Sequence, residues 1–165
     1  MTNLMVIRPY QTSDWPAVWN ILRPVFREGE TYPTSPDITE DQARQYWIDN
    51  PSFTYVAHEK NSDIVGTYYI KPNQPSLGAH VCNCGYVVSN EARRRGIASQ
   101  MCEHSQREAL VHGYRAMQYN LVVSTNEASL HLWKKHGFQL VGTLPRAFRH
   151  ARFGYVDAFI MYKEL

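Results

Sequence analysis

The sequence predicts a single-domain α/β protein, with a central sheet of mixed strand direction and helices on both faces. Three observations carry that prediction. Strand-like and helix-like segments alternate along the chain, and the order strand, two helices, hairpin, strand, helix, strand, helix, two strands suits a mixed sheet. The helical segments carry caps and one apolar face. No linker divides the 165 residues, a length that suits one hydrophobic core.

Leu4 to Arg8 is a short apolar stretch ended by Pro9, a first strand. Ser13 can cap a helix in which Trp15, Val18, Trp19 and Leu22 recur at helical spacing, with Pro24 and Gly29 breaking it. Thr39-Glu40-Asp41-Gln42 is a capping box that opens a second helix through about Ile48. Phe53 to His58 and Ile64 to Ile70 form a hairpin across the turn Asn61-Ser62-Asp63. Val81 to Val88 is the next strand, followed by a helix from Gly96 whose Ile97, Ala98, Met101, Cys102, Ser105 and Ala109 share one face. Gly113 closes that helix. Met117 to Val123 is a strand, Asn126 to His136 a helix stopped by Gly137. Phe138 to Leu144 and Tyr155 to Tyr162 end the chain as strands, with a basic loop over 145–154 between them.

Composition narrows the function. The chain is 44% hydrophobic and 13% aromatic, hence globular, and its net charge of +2 from 17 Lys+Arg against 15 Asp+Glu advertises no nucleic acid. Three cysteines make no disulfide framework. No apolar run reaches membrane-spanning length, and Met1-Thr2-Asn3-Leu4 begins no signal peptide. The expectation is a soluble, cytoplasmic protein with reduced thiols and no nucleic-acid or membrane partner.

Within that near-neutral chain, Arg93-Arg94-Arg95-Gly96-Ile97-Ala98-Ser99 needs a local explanation. A glycine between a strand and a helix lets backbone N–H groups approach a ligand, and the helix N-terminus favours an anion. Ala98 and Ser99 leave room for a phosphate, and the arginines supply charge-assisted bonds. A phosphate cradle and a solvated loop both fit the spacing. Aromatic platforms for bases do not interleave the arginines.

A second motif follows one strand later. Arg93-x-x-Gly96-x-Ala98, together with Asn126, Ser129, Leu132, Trp133 and Gly137-Phe138, resembles the GNAT superfamily of acetyl-CoA-dependent N-acetyltransferases, with Ser129 where relatives carry alanine. The resemblance extends to the element order over nearly the whole chain. It implies a largely antiparallel sheet whose central strands splay to admit acetyl-CoA as co-substrate. It further implies that Tyr86, Val87 and Val88 lend backbone groups to the pantetheine arm. The turn Arg93, Arg94, Arg95, Gly96, Ile97, Ala98, Ser99 would wrap the pyrophosphate, and Asn126 with Ser129 would line the cofactor site.

Amide formation from a thioester needs a neutral amine, a polarised carbonyl and an exit for thiolate, but no protein nucleophile. A backbone N–H near Val87 or Val88 is the natural donor to the carbonyl, with Val88 the catalytic assignment. A base is needed because most amines are protonated at pH 7. Many relatives place a carboxylate where this chain has Asn83, so the base is another residue or a water chain. His80, Glu28, Glu30 and Asp157 are candidates, and Glu30 is the catalytic assignment. Trp133 stands where relatives often carry a tyrosine that protonates the leaving thiolate; an indole can only donate a hydrogen bond. Trp133 shapes the cofactor channel or packs in the core. A thiol of pKa near ~8.5 departs without an acid.

His80, Cys82 and Cys84 alternate on a strand and could share a face, but zinc sites favour Cys-x₂₋₄-Cys pairs and a second pair is missing, so no metal is expected. Cys102 reads as packing, and His104, His112, His131 and His136 as surface or satisfied histidines.

The acceptor side falls to the segment from Arg27 to Pro33. Its Glu28 and Glu30 would attract an ammonium group and Tyr32 would stack on it. Arg146, Arg149, His150 and Arg152 could clamp a substrate carboxylate or reach cofactor phosphates. Both segments could equally be solvated loops. An acidic and a basic segment together suit a small amine or amino acid-like acceptor, and the region Thr31 to Pro36 resembles the subgroup acting on phosphinothricin and related amino acids. A homodimer stands beside a monomer as an open state. The alternative to an active N-acetyltransferase is a GNAT-like module that binds acetyl-CoA without turnover, motivated by Asn83 and Trp133.

Overall fold

The computed structural model describes residues 5–60 and 62–165. Leu4 of the first expected strand and Asn61 of the expected hairpin turn lie outside them. The elements are β1 (Met5–Pro9), α1 (Trp15–Glu28), α2 (Glu40–Arg44), β2 (Phe53–Glu59), β3 (Ile64–Pro72), β4 (Val81–Val88), α3 (Ile97–Val111), β5 (Ala116–Val123), α4 (Glu127–Lys135), β6 (Gln139–His150) and β7 (Gly154–Glu164). One seven-stranded sheet has the order β1-β2-β3-β4-β5-β7-β6. Every neighbouring pair is antiparallel except β4 and β5.

Several boundaries differ from the sequence expectation, each for a physical reason. Asp14, not Ser13, precedes α1, at the end of a single 3₁₀ turn over Thr12–Asp14. The Asp14 carboxylate accepts two bonds from the Arg8 guanidinium, at 2.8 and 2.9 Å, and one from the Gln11 N–H at 2.7 Å. Arg8 thereby holds the Asp14 carboxyl below its ordinary pKa. Pro24 does not break α1, which continues to Glu28 and ends on Gly29 in the left-handed conformation. A helical proline costs about 3 kcal/mol. Leu22, Val25 and Phe26 around it are all buried, each contributing about 1.5–3 kcal/mol. The Thr39 capping box forms reciprocally, and α2 runs on into a wider helical turn over Gln45–Asp49.

The basic segment 145–154 is not a loop. β6 continues through Pro145 to His150, irregular between Leu144 and Phe148, and only the three residues between His150 and Gly154 turn into β7. β6 is an edge strand with most residues exposed, so it carries no apolar alternation by which the sequence could announce it.

Each sheet face buries its own core. Trp19, Phe26 and Trp47 pack from the α1 and α2 side on Val56, Tyr69 and Val87. On the opposite face, Ile97, Met101 and Cys102 of α3 and Trp133 of α4 cover Tyr55, Tyr68, Cys82, Cys84 and Met117. α3 meets a tyrosine row, one from each of β2 to β5. Tyr55 donates to Glu108 at 2.7 Å, Tyr68 bonds His104 Nδ1 at 2.7 Å, and Tyr86 bonds Ser105 at 2.7 Å and Tyr119 at 2.9 Å. Polar side chains on the buried face of α3 are thus paired, as low-dielectric burial requires. No helix of the described residues is long and apolar enough to cross a membrane.

Candidate active site

The site exists because β4 and β5 stay together for two residue pairs only. Val81 faces Ala116 and Cys82 faces Met117, after which the parallel ladder ends. From there the strands diverge towards their C-terminal ends and open a cleft of about 930 Å³ through the sheet. At the point of divergence Asn83, 8% exposed, donates its Nδ2 hydrogen to the Gln118 carbonyl at 3.0 Å. A side-chain amide here spans the gap that the backbone ladder no longer bridges. A carboxylate could not donate that bond, which accounts for an amide at this position.

A split strand leaves backbone groups without ladder partners, and parity says which. Asn73 donates to the Val81 carbonyl and Ser89 to that of Val65, so odd-numbered β4 residues spend their N–H and C=O groups on β3. Cys84, Tyr86 and Val88 therefore point theirs into the split. Consistent with this, the Tyr32 hydroxyl donates to the Tyr86 carbonyl at 2.9 Å. The Val87 N–H faces Thr67 of β3 and is turned away from the opening, although the residue lines it. Of the two expected donors to a carbonyl, only Val88 presents its amide.

At the wide end of the cleft lies the turn into α3. Gly96 adopts φ +76° and Arg94 φ +62°. Left-handed backbone at a non-glycine costs about 1–2 kcal/mol, so Arg94 marks a turn held in shape by its surroundings, while Gly96 adopts its φ without that cost. A Cβ on Gly96 would meet nothing within 4 Å. The backbone there is open to a ligand. Arg93, Arg94, Ile97, Ala98 and Ser99 also line the cleft. Arg95 does not: it pairs with Glu59 and is tied to the β2 side. Ser99 Oγ bonds His136 Nε2 at 2.6 Å. Across the opening, the Asn126 side chain caps α4 by accepting from the Ser129 N–H at 3.2 Å, and both residues line the cleft. Trp133 is 8% exposed and packs against Tyr86 and Tyr119 at 5.0 and 4.8 Å, so it is a core residue with an edge on the channel.

The other side of the sheet supplies a second compartment. Gly85 is required there: a Cβ would lie 2.6 Å from the Tyr69 ring, which crosses the strand at that point. Tyr46, Tyr69 and Lys71 line this side with Glu28, Glu30 and Tyr32. Burial pushes the hydroxyl pKa of Tyr32, Tyr46 and Tyr69 up, so these phenols donate and do not act as bases. The Thr31 hydroxyl is buried without a partner in the same wall.

The acidic and basic segments meet. Arg152 at the tip of the β6–β7 hairpin contacts Glu30 through Nε at 2.6 Å and a second nitrogen at 3.3 Å. His150 is buried, and its Nδ1 accepts from the backbone N–H of Arg152 and Phe153. Glu28 and Glu30 line the cleft, whereas His80 and Asp157 do not. Asp157 instead accepts from the Arg146 N–H at 2.9 Å. Arg146 and Arg149 are exposed and lie outside the cleft.

Cys82, Cys84 and Cys102 are buried free thiols, and burial raises the pKa of Cys84 and Cys102. Among the described residues no three His, Cys, Asp or Glu side chains are arranged to hold a metal ion. Sequence reasoning missed Tyr46, Tyr69 and Lys71, whereas Thr31 lies in the segment from Arg27 to Pro33 expected on the acceptor side. Gly85 inside an apolar strand was the available signal of a close approach.

The arrangement is a channel through a sheet. Its wide end can bind an anion with backbone and arginine, its middle turns the backbone N–H groups of Cys84, Tyr86 and Val88 into the opening, and its far side is aromatic and charged. The sequence model of the acetyltransferase (GNAT) family matches residues 15–138. A GCN5-related N-acetyltransferase from Kribbella flavida is 36% identical, with 98% of each chain covered and a TM-score of 0.92. N-acetyltransferase aca1 of Schizosaccharomyces pombe is 29% identical over 80% of this chain and 71% of its own. The fold is also that of a phosphinothricin acetyltransferase from Sinorhizobium meliloti solved with acetyl-CoA, at 18% identity, TM-score 0.85, and 98% and 88% coverage. On its motifs, its split sheet and these likenesses, the chain belongs to the GNAT family of acetyltransferases.

Proposed function

We propose that this protein transfers the acetyl group of acetyl-CoA to the primary amine of a small, amino acid-like acceptor by direct attack with both substrates bound. The observation that carries this reading is the split between β4 and β5, which joins the open turn at Gly96 to a charged, aromatic compartment past backbone N–H groups turned into the gap. Acetyl-CoA supplies an acetyl thioester whose C–S bond breaks as the new C–N bond forms, the electron pair leaving on sulphur.

The residues present fit that co-substrate. Arg93, Arg94 and the open backbone at Gly96 hold the pyrophosphate, with Ile97, Ala98 and Ser99 in the first helical turn leaving it room. The Tyr86 and Val88 N–H groups take the pantetheine arm and the thioester oxygen, Val88 being the donor that stabilises charge on that oxygen. The Asn126 Nδ2 and the Ser129 side flank the same arm.

On the acceptor side, Glu28 and Glu30 attract the ammonium form and Tyr32 walls it in. Glu30 is engaged by Arg152, so Glu28 is the first acceptor of the proton, which passes on to water at the mouth. Orienting amine and thioester in one channel supplies much of the rate. Trp133 gives no proton, and the thiolate leaves without one. The Sinorhizobium relative acts on phosphinothricin by its name, which supports an amino acid-like acceptor.

The test is release of free thiol from acetyl-CoA against a panel of amines and amino acids. Amine-dependent release is expected. Binding of acetyl-CoA with no release on any acceptor would replace this reading with a non-catalytic acetyl-CoA-binding module.

A further inference from the structure

We propose that Lys71 recognises the acceptor's carboxylate, and so makes the enzyme selective for amines that carry an acid group. The inference rests on the reading that an amino acid-like amine is acetylated in this cleft. Lys71 lies near the end of β3, in register with Asn83, where β4 and β5 begin to part. It shares strand parity with Tyr69, which packs in the core on the α1 and α2 side, so its side chain belongs to the acceptor compartment. The Nζ stands 5.3 Å from the Tyr69 ring centroid and 5.8 Å from that of Tyr46. Two aromatic faces thus fix a cation in a half-buried wall and displace part of its hydration.

Charge placement singles out this lysine. Lys71 makes no ion pair among the described residues. Arg152, the other cation near the acceptor mouth, is already held by Glu30, and Arg146 and Arg149 do not reach the cleft. Arg93 and Arg94 line it at the α3 turn and Lys135 at the end of α4, elements that cover the opposite face of the sheet. Lys71 is therefore the cation left to receive an acceptor's anion, while Glu28, which makes no ion pair among the described residues, receives its ammonium. A zwitterion is oriented by these two charges of opposite sign. An amine lacking the acid would leave the ammonium of Lys71 without its counter-ion.

The experiment compares α-amino acids with their α-carboxamides as acceptors, in the native protein and in Lys71→Gln and Lys71→Arg. The native enzyme is expected to prefer acids. Lys71→Gln should lower the acid-to-carboxamide ratio of kcat/KM by about 10- to 100-fold, the scale of a hydrogen bond to a charged group, mainly through KM. Lys71→Arg should restore most of the ratio, and calorimetric affinity for acetyl-CoA should match the native value in both variants. An unchanged ratio in Lys71→Gln overturns the role of Lys71 and leaves acetyl transfer standing. Acetylation of carboxamides but not of acids by the native protein overturns acid recognition. If no amine is acetylated while acetyl-CoA binds, the catalytic reading falls and this inference with it.

Discussion

Substitution of Gly96 separates the parts that backbone, bulk and charge play at the α3 turn. The residue has φ +76°, and a Cβ there would have nothing within 4 Å, so a side chain meets conformational strain without a clash. That strain is about 1–2 kcal/mol, and for a chain of this size it lowers Tm by about 2–8 °C. Gly96→Ala should stay folded and keep acetyl-CoA affinity within a few-fold. Gly96→Gln adds bulk where the pyrophosphate would lie, and Gly96→Glu adds a negative charge as well. At about 5 Å and an effective dielectric constant of about 20, one added charge pair costs about 3 kcal/mol. That corresponds to roughly 100- to 200-fold in Kd. Calorimetric titration of acetyl-CoA into the three variants gives the comparison. The gap between Glu and Gln should shrink at high salt. A Gly96→Glu protein that folds and binds within three-fold of the native affinity would refute the anion cradle.

Three further outcomes follow from packing and protonation. Gly85→Ala forces the Tyr69 ring to move, since the new carbon would sit 2.6 Å from it. It should cost about 1–3 kcal/mol in denaturant unfolding and raise the acceptor KM more than that of acetyl-CoA. Asn83→Leu leaves the Gln118 carbonyl unpaired and should cost about 1–3 kcal/mol, with kcat falling as the split loses its cross-link. Asn83→Asp, which places an acceptor against an acceptor, should not rescue it. Burial lowers the pKa of His104 and His136, so the unfolded chain binds their protons first as pH falls. Stability is then full above the ordinary histidine pKa of 6.5 and declines as pH drops below it towards the folded values. Loss from Asp14, whose pKa is also lowered, begins only below its ordinary 3.8. Urea midpoints between pH 7.5 and 5 should show the histidine decline, and His104→Gln should flatten part of it.

Much of the cofactor half was legible in the sequence because it rests on local chemistry. Gly96 after an apolar strand, and Asn126 before a helix ended by Gly137, are backbone requirements that residue types announce. The acceptor half depends on what one strand places against another. Alternation puts Tyr69 and Lys71 on one face of β3, but only the register with Asn83 and the gap beyond Met117 bring them to the opening. The β6 edge is exposed along most of its length, and Phe148 and His150 alone are too few buried positions to give it a period, so Arg146 to Arg152 read as a loop. The Arg152–Glu30 contact spans 122 residues, and no local pattern encodes it. Pro24 misled for a different reason: proline propensity speaks for the isolated helix, and the buried Leu22, Val25 and Phe26 outweigh it.

A crystal structure with acetyl-CoA bound tests the central claim most directly. The account predicts the pantetheine arm between β4 and β5, the pyrophosphate at Gly96, and the thioester oxygen about 3 Å from the Val88 nitrogen, facing the compartment of Tyr69 and Lys71. A cofactor lying outside the split, or a thioester turned away from Val88 and that compartment, would contradict it.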